Sequence, residues 1–89
     1  MGVYLQKVLE EVKAEREYQD RCWGTDFDDK NTLDNWVSYI VTYGGRSRIG
    51  KPVQQRRDML KVAAIAVAAC EAFDRNGRFP PRHYDDTTA

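Results

Sequence analysis

The residues best suited to chemistry first appear where an apolar stripe breaks. Leu5, Val8, Leu9 and Val12 recur at helical spacing, and the same face continues through Glu15, Gln19 and then Cys22 or Trp23. A carboxylate and an amide turned inward cost free energy unless they find partners, so they imply a satisfied polar network or a wet functional cavity. The alternative is that this end of the helix emerges into solvent. A second group is aromatic, because Trp36, Tyr39 and Tyr43 are spaced to lie along one side of a helix. Stacking on such faces contributes roughly 1–3 kcal/mol per nucleobase without demanding a particular base. Trp36 also reads as plain core, with the tyrosines flanking it and their hydroxyls in water. The third group is cationic: Arg46, Arg48, Lys51, Arg56 and Arg57 fall within a dozen residues. Arginine presents a planar fork suited to phosphate oxygens, and cations at a helix N-terminus oppose its dipole, which argues for a functional reason over a merely solvated surface.

Three helices must position these groups. The first spans about residues 3–21, after which Trp23 to Asn31 lose periodicity, collect Gly, Asp and Asn, and are expected to form a loop. Thr32 is a plausible N-cap for a second helix over 32–44, with Asp34 in its first turn and Leu33, Trp36, Val37, Ile40 and Val41 as its apolar stripe. Gly44-Gly45 should end it, since paired glycines are poor helix interiors. Arg46 to Pro52 is expected to be a mobile basic loop, followed by a third helix over 53–76 that stops at Asn76-Gly77. From Met59 to Phe73 this helix is apolar nearly all round, so it must be covered on most faces. The expectation is an all-α domain over residues 1–78, a three-helix bundle completed by oligomerisation through Ala63, Ala64, Ala66, Ala68 and Ala69. Residues 79–89 form an irregular tail expected to lie along the surface or to lack fixed structure.

With 89 residues the chain has room for one domain and a small core, which a partner subunit would supplement. Fourteen acids balance fourteen bases, so no global field draws the chain to DNA or RNA. Cys22 and Cys70 lack metal-type spacing and read as reduced thiols of a cytoplasmic protein. The apolar run Val62 to Cys70 is too short to span a bilayer, and no signal pattern opens the chain.

The run Glu15-Arg16-Glu17-Tyr18-Gln19-Asp20-Arg21-Cys22-Trp23-Gly24, the Asp-rich segment after it, Trp36, and Lys61 to Ala69 followed by Glu71-Ala72-Phe73-Asp74-Arg75 form a pattern. Over about residues 8–75 it resembles small phage-type proteins related to the MazG nucleotide pyrophosphohydrolases. The resemblance implies an all-α dimer or tetramer and Mg²⁺-dependent hydrolysis of nucleoside triphosphates to monophosphate and pyrophosphate. The family's Glu-Glu-x-x-Glu metal motif, however, corresponds here to Thr42-Tyr43-Gly44-Gly45-Arg46, and its Glu-x-x-Asp pair to Asp58-x-x-Lys61. Cations thus stand where Mg²⁺ would need oxygen ligands.

The resulting expectation is a non-catalytic binder, without metal or cofactor, of a phosphorylated adenine- or guanine-type nucleotide. Sequestration of a nucleotide immune signal by a phage is one use. Trp23, Tyr39 and Tyr43 would face base or sugar, Arg46, Arg48 and Lys61 the phosphates, and Glu15 and Gln19 would orient the ligand. Two alternatives stay open: a Mg²⁺-dependent pyrophosphohydrolase using Glu15, Asp20, Asp28, Asp29 and Asp58, and a helical adaptor that binds another protein.

Overall fold

The computed structural model describes residues 2–82, in which four α-helices and no strand are found. They are α1 (Val3–Trp23), α2 (Thr25–Lys30), α3 (Leu33–Ser47) and α4 (Pro52–Asn76). Among the described residues no helix is long and apolar enough to cross a membrane.

The second helix in the chain stands where a loop was expected. Gly24 takes a φ of 83°, a left-handed value that favours glycine, and its N–H donates to Asp20 O at 2.9 Å, closing α1. Thr25–Lys30 then forms a further helix of six residues, too short to display a period. Its placement is tertiary. Arg16 of α1, with 11% of its side chain exposed, donates to Asp28 Oδ2 at 3.1 Å and to Glu71 Oε1 at 2.6 Å, joining α1, α2 and α4. Burial pushes the Asp28 carboxyl up and Arg16 opposes that shift. Arg75 and Asn76 bind Asp29 on the outer side, which holds that carboxyl below its usual range.

Thr32 caps α3 reciprocally. Its Oγ1 accepts from Asn35 N at 3.2 Å and its own N–H donates to Asn35 Oδ1 at 2.9 Å. Contrary to expectation, α3 continues through Gly44 and Gly45 to Ser47. Local propensity is overruled because the last turn is anchored: Arg46 Nη2 donates to Asp58 Oδ1 at 3.0 Å, and Ser47 is buried with its hydroxyl on Gly44 O at 2.7 Å. The expected basic loop therefore shrinks to the turn at 48–50 and Lys51, which precedes Pro52 at the start of α4. A Cβ built at Gly45 meets nothing within 4 Å, and the residue does not have a positive φ. Gly45→Ala is accordingly expected to raise stability by roughly 0.5–1 kcal/mol in urea unfolding. A loss would show that the helix ends earlier.

The core lies between α3 and α4. Trp36, Ile65, Ala68, Ala69 and Ala72 form its buried centre, with Tyr39, Ile40, Tyr43 and Phe79 packed around them. This corrects the subunit interface expected on the alanines: Ala64, Ala68 and Ala69 are buried within the chain, and Ala63 and Ala66 are partly covered. Small side chains let the other helices approach α4 closely and cover it. Only part of the α3 stripe points inward, since Leu33, Val37 and Val41 stay exposed. Val3, Tyr4, Leu5, Val8 and Leu9 also leave the first half of α1 uncovered. Phe79 ties the start of the tail down, its ring 5.2 Å from that of Phe73, and residues 83–89 of the expected tail lie outside the described residues.

Asp58 is wholly buried beneath the α3–α4 junction. It accepts from Arg46 and, at 2.9 Å, from Gln54 Nε2, and Arg46 holds the carboxyl below its ordinary range. Glu11, bound by Arg56, and Asp29 shift the same way. A carboxyl lowered by folding stabilises the native state above its unfolded pKa and loses that contribution as pH falls through the folded value. Three lowered carboxyls against the raised Asp28 predict a lower urea midpoint at pH 3 than at pH 7. In Asp58→Asn the fall between the two pH values should be smaller.

Candidate ligand-binding cleft

Three helices line a cleft of about 390 Å³, and α2 adds to its wall. From α1 come Glu15, Tyr18, Gln19, Cys22 and Trp23, a set spaced at three and four residues and so on one helix face. Trp36, Tyr39 and Tyr43 come from α3, and Lys61, Ile65 and Ala68 from α4. Phe27 and Asp28 of α2 complete the wall. Six aromatic side chains thus surround a space within the usual size range of small-molecule sites.

The rings are arranged by contact. Trp23 and Phe27 stack with centroids 5.2 Å apart, and Trp36 meets Tyr39 edge-on at 6.2 Å. Tyr39 is fixed at its far end, where its hydroxyl donates to Asn31 Oδ1 at 3.2 Å. Arg46 lies over the Tyr43 ring at 4.7 Å and Lys61 near it at 5.7 Å. The Tyr18 phenol is pushed up by the hydrogen bond and charge of the neighbouring Cys22.

Charges on the lining are already balanced. Lys61 Nζ lies 3.5 Å from Glu15 Oε1, and Gln19 Nε2 reaches Lys61 O at 3.5 Å. Asp28 is compensated by Arg16. Two polar atoms of the wall lack hydrogen-bond partners although buried: Glu15 Oε1 and the indole Nε1 of Trp36, a residue only 4% exposed. A buried donor or acceptor left unmatched costs about 1–3 kcal/mol, which a ligand that supplies the partner recovers. Asn31, buried beside Tyr39, has an unpartnered amide nitrogen as well.

Glu15, Gln19, Trp23, Tyr39, Tyr43 and Lys61 therefore come together, whereas Arg46 and Arg48 do not line the cleft. Arg46 stands at its rim, engaged by Asp58, and Arg48 is exposed at the end of α3. Arg56 is bound to Glu11 at 2.6 Å. Tyr18 is legible from helical spacing one turn before Cys22. Phe27 had no signal, because the segment carrying it reads as a loop, and Asp28 was legible only as an acid that could serve a metal. Trp36 is both core and lining.

The carboxylates are drawn to cations. Glu15 sits with Lys61, Asp20 within 3.8 Å of Arg16, and Asp58 with Arg46. Among the described residues no group of three His, Cys, Asp or Glu side chains is placed to hold a metal ion. Cys22 and Cys70 are free thiols, both exposed, and the single histidine, His83, lies outside the described residues. Fold and site together define an all-helical protein with an aromatic, charge-balanced cleft. Comparisons with protein-family models, with curated proteins and with solved structures gave no match.

Proposed function

We propose that the chain is a non-catalytic binder of a nucleotide-type molecule, on a MazG-like helical scaffold whose metal ligands have been replaced. The single observation that carries this reading is the ring-lined cleft with Lys61 on its wall and Arg46 at its rim. A planar base is a neutral, flat, polar-edged body, which suits walls that stack and whose charges are already paired. The phosphate end of the ligand lies toward Lys61 and Arg46, whose cations take up its charge at the mouth. Trp36 Nε1–H offers a donor to a ring nitrogen or carbonyl of the base. Holding such a ligand without cleaving it amounts to sequestration, and a phage-encoded sponge for a nucleotide immune signal is the use that fits.

Self-association belongs to the same reading. Leu5 and Leu9 of α1 and Val37 and Val41 of α3 leave apolar surface that a second copy would cover. Mass measurement in solution tests it, and a monomer at all concentrations would refute it.

The ligand reading is tested by thermal shift against linear and cyclic nucleotides, including ADP-ribose-derived molecules. A ligand present at a hundred times its dissociation constant is expected to add about 2.7 kcal/mol of apparent stability. Chromatography of the mixture with Mg²⁺ should return the nucleotide intact. Released pyrophosphate would establish the hydrolase instead, and indifference to every nucleotide would favour the protein adaptor.

A further inference from the structure

Asp58 is wholly buried, yet the cation that holds it is half exposed. Its Oδ1 accepts from Arg46 Nη2 at 3.0 Å and from Gln54 Nε2 at 2.9 Å, while the buried Oδ2 accepts no hydrogen bond. Such a pair is a poor stabilising device, because desolvation of the anion offsets much of the attraction and an apolar pair of similar volume serves a core as well. What it does achieve is to fix a guanidinium. The tether to α4 is joined by a second contact on α3, where the Arg46 guanidinium carbon lies 4.7 Å from the centre of the Tyr43 ring. Tyr43 belongs to the cleft wall, and Lys61, one turn on from Asp58 along α4, approaches the same ring at 5.7 Å. Two cations therefore meet beside one ring at the mouth of the cleft. Arg16, Arg56 and Arg75 each engage carboxylates through two nitrogens, whereas Arg46 meets Asp58 through Nη2. That contact takes one of the five N–H donors of the fork.

Resting on the nucleotide reading, we propose that Asp58 is a positioning residue, which holds Arg46 from behind so that the rest of its fork receives the phosphate of the ligand. A guanidinium fixed at two points loses little freedom when an anion arrives, so more of each charge-assisted hydrogen bond appears as affinity. A planar fork also serves two anions at once, the buried carboxylate on one nitrogen and a phosphate oxygen on another, which a lysine ammonium does with less geometric definition. The Asp58 charge has a second effect, since it offsets the repulsion between Arg46 and Lys61 where they approach one ring.

The test is calorimetric titration of the full chain with adenosine, guanosine and their 5′-monophosphates, for wild type, Asp58→Asn and Arg46→Lys. Wild type is expected to bind the monophosphate of at least one base about tenfold or more tightly than the matching nucleoside. In Asp58→Asn, which keeps the shape and removes the charge, most of that advantage should vanish while nucleoside affinity stays at the wild-type level. Arg46→Lys, which keeps the charge and removes the fork, should show the same split. A fall of nucleoside and monophosphate affinity by one factor in Asp58→Asn would make the residue a support of the fold alone and overturn the assignment. A monophosphate advantage that survives in either variant would overturn it too, as would its absence in wild type, and each of these leaves the base-binding cleft standing. No binding of any of the four by wild type would remove the nucleotide reading itself. Arg46 is half exposed, so Arg46→Lys decides the matter where Asp58→Asn folds poorly.

Discussion

Replacing Arg16 by alanine is expected to destabilise the protein by roughly 3–5 kcal/mol, the largest single loss among the polar residues. Its guanidinium is nearly buried and binds carboxylates from α2 and α4 at once, so deletion leaves Asp28 in a low-polarity site without the cation that most offsets its burial. The effect is the removal of one partner, which costs far more than the pair contributes relative to an apolar replacement. Two further outcomes separate this cause from simple loss of packing. In an Asp28→Asn background the Arg16→Ala substitution should cost markedly less, a coupling that a double-mutant cycle in urea reads directly. Lowering the pH should also narrow the gap between Arg16→Ala and wild type, because Asp28, already raised by burial, takes up a proton and ceases to be a buried anion. A penalty unchanged by either manipulation would mean that the arginine acts through its methylene stem alone.

Trp36 gives the second large effect and splits it in two. Trp36→Ala empties the centre of the α3–α4 core and is expected to cost roughly 3–5 kcal/mol. Trp36→Phe keeps most of the ring packing while removing an indole N–H that has no partner in the free protein, so its stability should stay within about 1 kcal/mol of wild type. On the proposed nucleotide reading, affinity of the same variant should nevertheless fall by about tenfold, since the donor assigned to the base would be gone. Chemical unfolding and calorimetric titration of the single protein measure both quantities. Stability and affinity that fall together, or an affinity untouched, would remove the indole from ligand recognition.

Much of the architecture is legible in local sequence, and what is not shares a cause. The periods of α1, α3 and α4, the Thr32 cap and the Asn76-Gly77 stop are local features written in consecutive residues. Glu15, Gln19 and Trp23 were likewise found by helical spacing, as were Tyr39 and Tyr43. What escaped depends on partners far away in sequence. The short α2 is held by Arg16 and Arg75, and Gly44-Gly45 stay helical because Arg46 beyond them is tied to Asp58. That same tie draws Arg46 to the rim, and no pattern in residues 42–46 announces it. The alanines of α4 suggested a subunit interface because a helix apolar on most faces needs cover, yet small residues also permit the close approach that meets the need within one chain. The metal question turned on pairing in the same way, since the acids that a motif would recruit are engaged by cations, Glu15 by Lys61, Asp20 and Asp28 by Arg16, Asp29 by Arg75 and Asp58 by Arg46.

The two cysteines give the molecule an internal reference for occupancy. Cys22 forms part of the cleft wall while Cys70 is exposed on α4 outside it, so an alkylating reagent meets two accessible thiols of which a seated guest shades just one. The ratio of label at the two positions, read by mass from a single digest, therefore reports how full the cleft is without any added dye or engineered probe.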